Sequence, residues 1–111
     1  MKLLNYDIYK HPTSTHWVVF LHGAGGSSKT WDRQLAAFKV QFNVLNMDLR
    51  DHGNSKNIIP EYPKYNLTIV TQDILNLLDH LGIYKASFIS LSMGSFLMQS
   101  LALQRPQLIE K

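Results

Sequence analysis

The stretch Ser90-Leu91-Ser92-Met93-Gly94 constrains this chain more than any other. A run suited to a strand, Ala86-Ser87-Phe88-Ile89, leads into it, and a helical pattern from Phe96 to Leu103 leads out. Strand, tight turn and helix with a serine at the apex is the pattern of a nucleophile elbow. The turn forces its apex residue into a strained backbone conformation that lifts the hydroxyl above the sheet edge. Small residues two positions to either side, here Ser90 and Gly94, let strand and helix approach closely. The helix then aims its first N–H groups and its positive dipole end at the place beside Ser92 where an oxyanion would form. Alone, the pattern fits a serine-rich helix N-cap without chemistry as well. The rest of the chain has to decide between the two.

The 111 residues are enough for one small domain with a core, and 45% hydrophobic against 17% charged residues makes it globular. With no cysteine, a disulfide framework, thiolate zinc sites and cysteine nucleophiles are excluded. The net charge of +3 comes from scattered lysines and arginines, with no basic face interleaved with aromatics, so no nucleic-acid partner is expected. No apolar run approaches the roughly 18 residues a membrane span needs. Met1-Lys2-Leu3-Leu4-Asn5-Tyr6-Asp7 turns polar too soon for a signal-peptide core. The expectation is a cytoplasmic protein with no membrane partner.

Taken in order, residues 3–9 alternate with Leu4, Tyr6 and Ile8 on one side, which predicts a half-buried edge strand. Trp17-Val18-Val19-Phe20-Leu21 is continuously apolar, as in a strand covered on both faces. It runs into the glycine-rich loop His22-Gly23-Ala24-Gly25-Gly26-Ser27-Ser28, where Ser27 or Ser28 can cap a helix with Trp31, Leu35 and Phe38 on one face. A strand over 42–47 leads to the polar loop 48–55, and residues 56–65, with two prolines and two tyrosines, read as irregular. A helix from Asn66 or Thr68 to Leu81 follows, with Val70, Ile74, Leu77, Leu78 and Leu81 on one stripe and Gly82 as its stop. Strand 86–90, the elbow and a helix to Gln104 complete the chain, and Pro106 ends that helix. Alternating strands and helices predict an α/β three-layer sandwich with a mostly parallel sheet. The loops 22–28, 48–55 and 90–94 all follow strands, so they should converge at the carboxyl end of the sheet.

Acyl transfer needs a nucleophile, two oxyanion donors, a base and a group that orients the base. Ser92 can supply the nucleophile and Met93 a backbone N–H at the helix start. The glycine-rich loop can present a second N–H, that of Ala24.

Leu21-His22-Gly23 after a buried strand, Trp31 in the next helix, Asp48-x-Arg50-x-His52-Gly53-x-Ser55 after the following strand, and the Ser92 elbow together resemble the N-terminal part of the α/β-hydrolase superfamily. The resemblance covers essentially residues 3–111. It implies Ser92 as nucleophile, and Ala24 and Met93 as oxyanion-hole donors. The family usually has glycine where Ser90 and Asp51 stand, although Arg50-Asp51-His52-Gly53 is similar to the Arg-Asn-His-Gly of an esterase-like branch. Serine at the elbow speaks against the dehalogenase and epoxide-hydrolase branches, which carry aspartate. In the family the triad acid and histidine follow on loops after later strands, and the lid comes later still. Residues 1–111 are therefore expected to be the N-terminal fragment of a single hydrolase domain of roughly 250 residues, truncated after the elbow helix. Such a fragment is expected to be inactive alone. Its substrate would be a small ester-like molecule, with no cofactor and no metal.

The local histidines fit a catalytic role less well. His11 and His16 lie at the wrong ends of their strands, and His80 falls on a helix. The resemblance gives His22 and His52 structural roles, holding loops by ring hydrogen bonds, and makes Asp48 a loop anchor. Trp31 reads as core. Two other readings compete. Residues 23–30 are one substitution from the phosphate loop G-x-x-x-x-G-K-[ST], with Ser28 in the position of the second glycine and Asp48 as a possible magnesium-holding aspartate. A hydrolase-like binding protein without turnover is the other. Finally, strand 86–90 would be an unpaired edge in the fragment, and self-association through it is expected.

Overall fold

The computed structural model describes residues 3–56 and 66–111, so most of the stretch read as irregular lies outside the described residues. Four strands form one sheet: β1 (Tyr6–Tyr9), β2 (Trp17–Leu21), β3 (Asn43–Met47) and β4 (Ser87–Ser90), in the order β1-β3-β2-β4. β1 runs antiparallel to β3, while β2 is parallel to both β3 and β4. The three helices are α1 (Asp32–Lys39), α2 (Leu67–Leu81) and α3 (Met93–Gln104).

The alternation of β2 sets the layers, because successive side chains point to opposite faces. Val18 and Phe20 face α1 and pack with Trp31, Leu35 and Val44. The Phe20 ring lies 5.0 Å from the Trp31 ring and 5.4 Å from that of Phe38. Val19 and Leu21 face the other way, with Leu45 and Met47, into a larger core closed by Val70, Ile74, Leu77 and Leu78 of α2 and Leu97 and Leu101 of α3. One helix on one face and two on the other make the expected three layers. The apolar run of β2 is continuous because both of its faces are covered.

The helix after the glycine-rich loop starts differently from its expectation. Ser27 caps a single 3₁₀ turn, Ser28–Trp31, before α1 begins at Asp32. α2 follows its signals closely: the Asn66 side chain accepts the Ile69 N–H, and Gly82 at φ 71° ends the helix.

The outer edge of β4 also departs from expectation. Ala86 bridges in parallel to Ile109, and the Phe88 N–H donates to the Lys111 carbonyl at 2.7 Å. Residues 108–111 thus already pair the first half of the strand that was expected to stand bare.

Candidate active site

Because β2, β3 and β4 run parallel, their carboxyl ends, Leu21, Met47 and Ser90, share one end of the sheet. The three loops therefore meet there. The β2–β4 ladder extends one bond further, the Leu91 N–H donating to the Leu21 carbonyl at 3.1 Å, and at Ser92 the chain breaks sharply into α3.

Ser92 sits at φ 53° and ψ −117°, a left-handed backbone that a side chain makes costly. It is exposed, and its hydroxyl makes no hydrogen bond to the described residues. The turn is held by the Gly94 N–H on the Leu91 carbonyl at 2.9 Å and the Ser95 N–H on the Ser92 carbonyl at 2.8 Å. Ser90, in the place of the usual glycine, shares a hydrogen bond with the Ser95 hydroxyl at 3.1 Å. The serine thus ties the strand end to the first turn of α3 instead of crowding it. Met93 follows as the first residue of α3.

The glycine-rich loop lies directly against this elbow. A Cβ placed on Gly23 would come within 3.2 Å of both the Leu91 carbonyl oxygen and the Ser92 Cβ. The backbone N–H groups along the loop are almost all spent within the fold. Gly25 donates to His52 Nε2, Gly26 to the Gly23 carbonyl, and Ser27 to the Thr30 hydroxyl. Ser28 donates to the Asp48 carboxylate, Lys29 to the Ser27 hydroxyl and Thr30 to the Ser27 carbonyl. Of residues 24–30, Ala24 alone has an N–H that meets no acceptor among the described residues.

Asp48 anchors the loops. Its carboxylate accepts the Ser28 N–H at 2.7 Å, the Asn54 N–H at 3.0 Å and the Asn5 side-chain amide at 3.1 Å. Burial pushes its carboxyl up, but the hydrogen bonds from Ser28, Asn54 and Asn5 outweigh this and hold it below the usual carboxylate value. The phosphate-loop reading fails on the same geometry. The carboxylate that was to hold a metal is occupied by these donors, and of the amides of residues 24–30 that would cradle a phosphate all but that of Ala24 are already donated.

Both nearby histidines are engaged at both ring nitrogens. His22 Nδ1 donates to the Gly23 carbonyl at 2.7 Å, and its Nε2 accepts the Leu49 N–H at 3.0 Å. His52 Nδ1 donates to the Arg50 carbonyl at 2.8 Å, and its Nε2 accepts the Gly25 N–H. These partners assign each ring as a neutral imidazole with its proton on Nδ1. Burial is the main cause that lowers the His22 pKa, and nearby His52 adds to it. His11 and His16 sit at the other end of the sheet, bonded to Val40 and Ser87 respectively, and His80 is exposed on α2.

Residues 16–111 match the family described as alpha/beta hydrolase fold. The chain belongs to the alpha/beta hydrolase fold family. It is similar to the sn-1-specific diacylglycerol lipase ABHD11 of Mus musculus, 36% identical over 97% of this chain and 34% of that protein. It is also similar to the 3-oxoadipate enol-lactonase 1 of Acinetobacter baylyi, 37% identical over 75% of this chain and 30% of the relative. Among solved structures, the enol-lactonase from Burkholderia xenovorans superposes with a TM-score of 0.86 at 35% identity, covering 96% of this chain and 40% of that one. The chain thus spans well under half the length of these hydrolases.

Within the alpha/beta hydrolase fold, Asp51 stands where glycine is usual, and it adopts φ 64°. Aspartate is among the few side chains that visit this region readily. Asp73 was missed from the sequence. It pairs with Arg50, whose Nε and Nη2 donate to the two carboxylate oxygens at 2.7 and 2.6 Å, both side chains being buried. The pair locks the loop after β3 onto α2. The signal was available: position 73 falls on the apolar stripe between Val70 and Leu77, where an acid needs a partner.

Proposed function

We propose that Ser92 is the nucleophile of a serine hydrolase that cleaves a small carboxylic ester through an acyl-enzyme. One observation carries the reading. An exposed serine with strained backbone stands between a parallel strand and a helix, pressed against a loop whose Ala24 N–H is unspent.

In this reading Ser92 Oγ attacks the ester carbonyl carbon while its proton passes to a histidine outside residues 1–111. The N–H groups of Ala24 and Met93 hold the oxyanion, each such donor typically contributing about 10²–10³ in rate. The tetrahedral intermediate expels the alcohol, which takes the proton from the histidine. Water then attacks the acyl-serine by the reverse sequence and releases the acid. The chemistry needs no cofactor. Both ring nitrogens of His22 and of His52 are engaged in hydrogen bonds, which supports a base from elsewhere, so residues 1–111 alone are expected to be inactive and to form the N-terminal part of a longer hydrolase domain. The names of two relatives, a diacylglycerol lipase and an enol-lactonase, support an ester substrate. The reading includes a cytoplasmic enzyme. Among the described residues no helix is long and apolar enough to cross a membrane. It also includes self-association of the isolated 111-residue polypeptide through the remaining outer edge of β4, which a monodisperse monomer at tens of micromolar in light scattering would contradict.

The test is pre-steady-state hydrolysis of p-nitrophenyl butyrate by the intact protein. A burst of nitrophenol stoichiometric with enzyme, abolished in Ser92→Ala, is expected. Turnover that survives Ser92→Ala refutes the assignment.

A further inference from the structure

The two histidines that cannot serve as base hold the peptide groups on either side of Ala24. The Gly23 carbonyl and the Ala24 N–H belong to one trans peptide, so they point in opposite directions. That carbonyl accepts two hydrogen bonds, from His22 Nδ1 at 2.7 Å and from the Gly26 N–H at 3.1 Å. Pulling the oxygen to one side turns the Ala24 N–H to the other. The next peptide is fixed at its N–H, which donates to His52 Nε2 at 3.0 Å. Each imidazole is in turn seated on the backbone after β3, His22 on the Leu49 N–H and His52 on the Arg50 carbonyl. The rings lie 5.0 Å apart at their centroids. Arg50 is itself immobilised by Asp73 of α2.

We propose that His22 and His52 are a paired positioning device that orients the Ala24 N–H toward the oxyanion, carrying the rigidity of α2 and the β3 loop into the oxyanion hole. The inference rests on the assignment of Ser92 and Ala24 made above. Neither ring touches the substrate. Each works by offering a donor at Nδ1 and an acceptor at Nε2, a combination that only a neutral imidazole in one tautomer provides. Because an oxyanion donor acts mainly in the transition state, loosening it should lower kcat and leave KM nearly unchanged.

His52 is the better site for the test, since His22 is fully buried and its replacement endangers folding. In the intact protein, His52→Leu removes the acceptor for Gly25, and His52→Gln restores an acceptor near the Nε2 position. Both are compared with wild type in ester hydrolysis and in binding of a trifluoromethyl ketone, which forms a tetrahedral adduct on serine. His52→Leu is expected to lower kcat about tenfold or more, with KM within about twofold and inhibitor affinity falling in parallel with kcat. His52→Gln should recover most of both. A His52→Leu enzyme with unchanged kcat, or one whose loss lies in KM with inhibitor affinity intact, overturns the positioning role while leaving Ser92 as nucleophile. If wild type forms no adduct with the ketone at Ser92, the underlying assignment fails and the positioning role falls with it.

Discussion

Gly94, in the first turn of α3, lies so close to Leu21 at the end of β2 that an added Cβ would collide with the Leu21 carbonyl oxygen, and would come within 2.8 Å of the His22 carbonyl oxygen. The obstacle is backbone on a central strand, which cannot yield as a flexible side chain could. This contact sets how deeply α3 seats on the sheet, and hence where Ser92 is held. Gly94→Ala is therefore expected to destabilise the protein by about 1–3 kcal/mol through overpacking. Urea denaturation measures it, and an unchanged midpoint would mean that α3 can shift without cost.

Asp48 joins three segments through its carboxylate, and Asp48→Ala leaves the Ser28 and Asn54 N–H groups without that acceptor. A loss of about 2–4 kcal/mol is expected. The pH dependence follows from the direction of its pKa. The folded value lies below the usual 3.8, so in that window the unfolded state binds more protons. The contribution of Asp48 is therefore present above about pH 3.8 and is lost as pH falls through the folded pKa. Wild type should lose its advantage over Asp48→Ala on acidification, as followed by denaturation at a series of pH values.

His22 has the same sign with a different window. Burial lowers its pKa from 6.5, so its contribution is complete above that value and declines as pH falls toward the folded pKa. NMR of the ring nitrogens should show a neutral Nδ1–H imidazole at pH 6.5. A charged ring there would contradict the assigned hydrogen bonds.

The Arg50–Asp73 pair is buried on both sides. Asp73→Leu leaves the guanidinium without its carboxylate and should cost about 3–5 kcal/mol, while Arg50→Met combined with Asp73→Leu should regain most of that loss. A double-mutant cycle measures the coupling.

Much of this arrangement was legible in the sequence, and for local reasons. α2 announces itself through Asn66, an apolar stripe and Gly82, all signals carried within one continuous stretch of sequence. The convergence of the three loops follows from strand order and parallelism alone, without any distance. What escaped depends on residues far apart in the chain. Nothing local links Arg50 to Asp73, or tells that Ile109 pairs with Ala86. The 3₁₀ turn before α1 is capped locally by Ser27, but its first N–H, that of Ser28, goes to Asp48 across 20 residues of chain. Ser90 was read as a small residue, but its hydroxyl has a partner in Ser95 that only the folded elbow brings near.

The most direct test of the account is covalent labelling of the intact protein with a fluorophosphonate, followed by peptide mass spectrometry. A single adduct on Ser92, absent from Ser92→Ala and from protein unfolded before exposure, is the predicted result. A folded protein that remains unlabelled at Ser92 would contradict the claim that this elbow carries a working nucleophile, and would favour a hydrolase fold retained for binding.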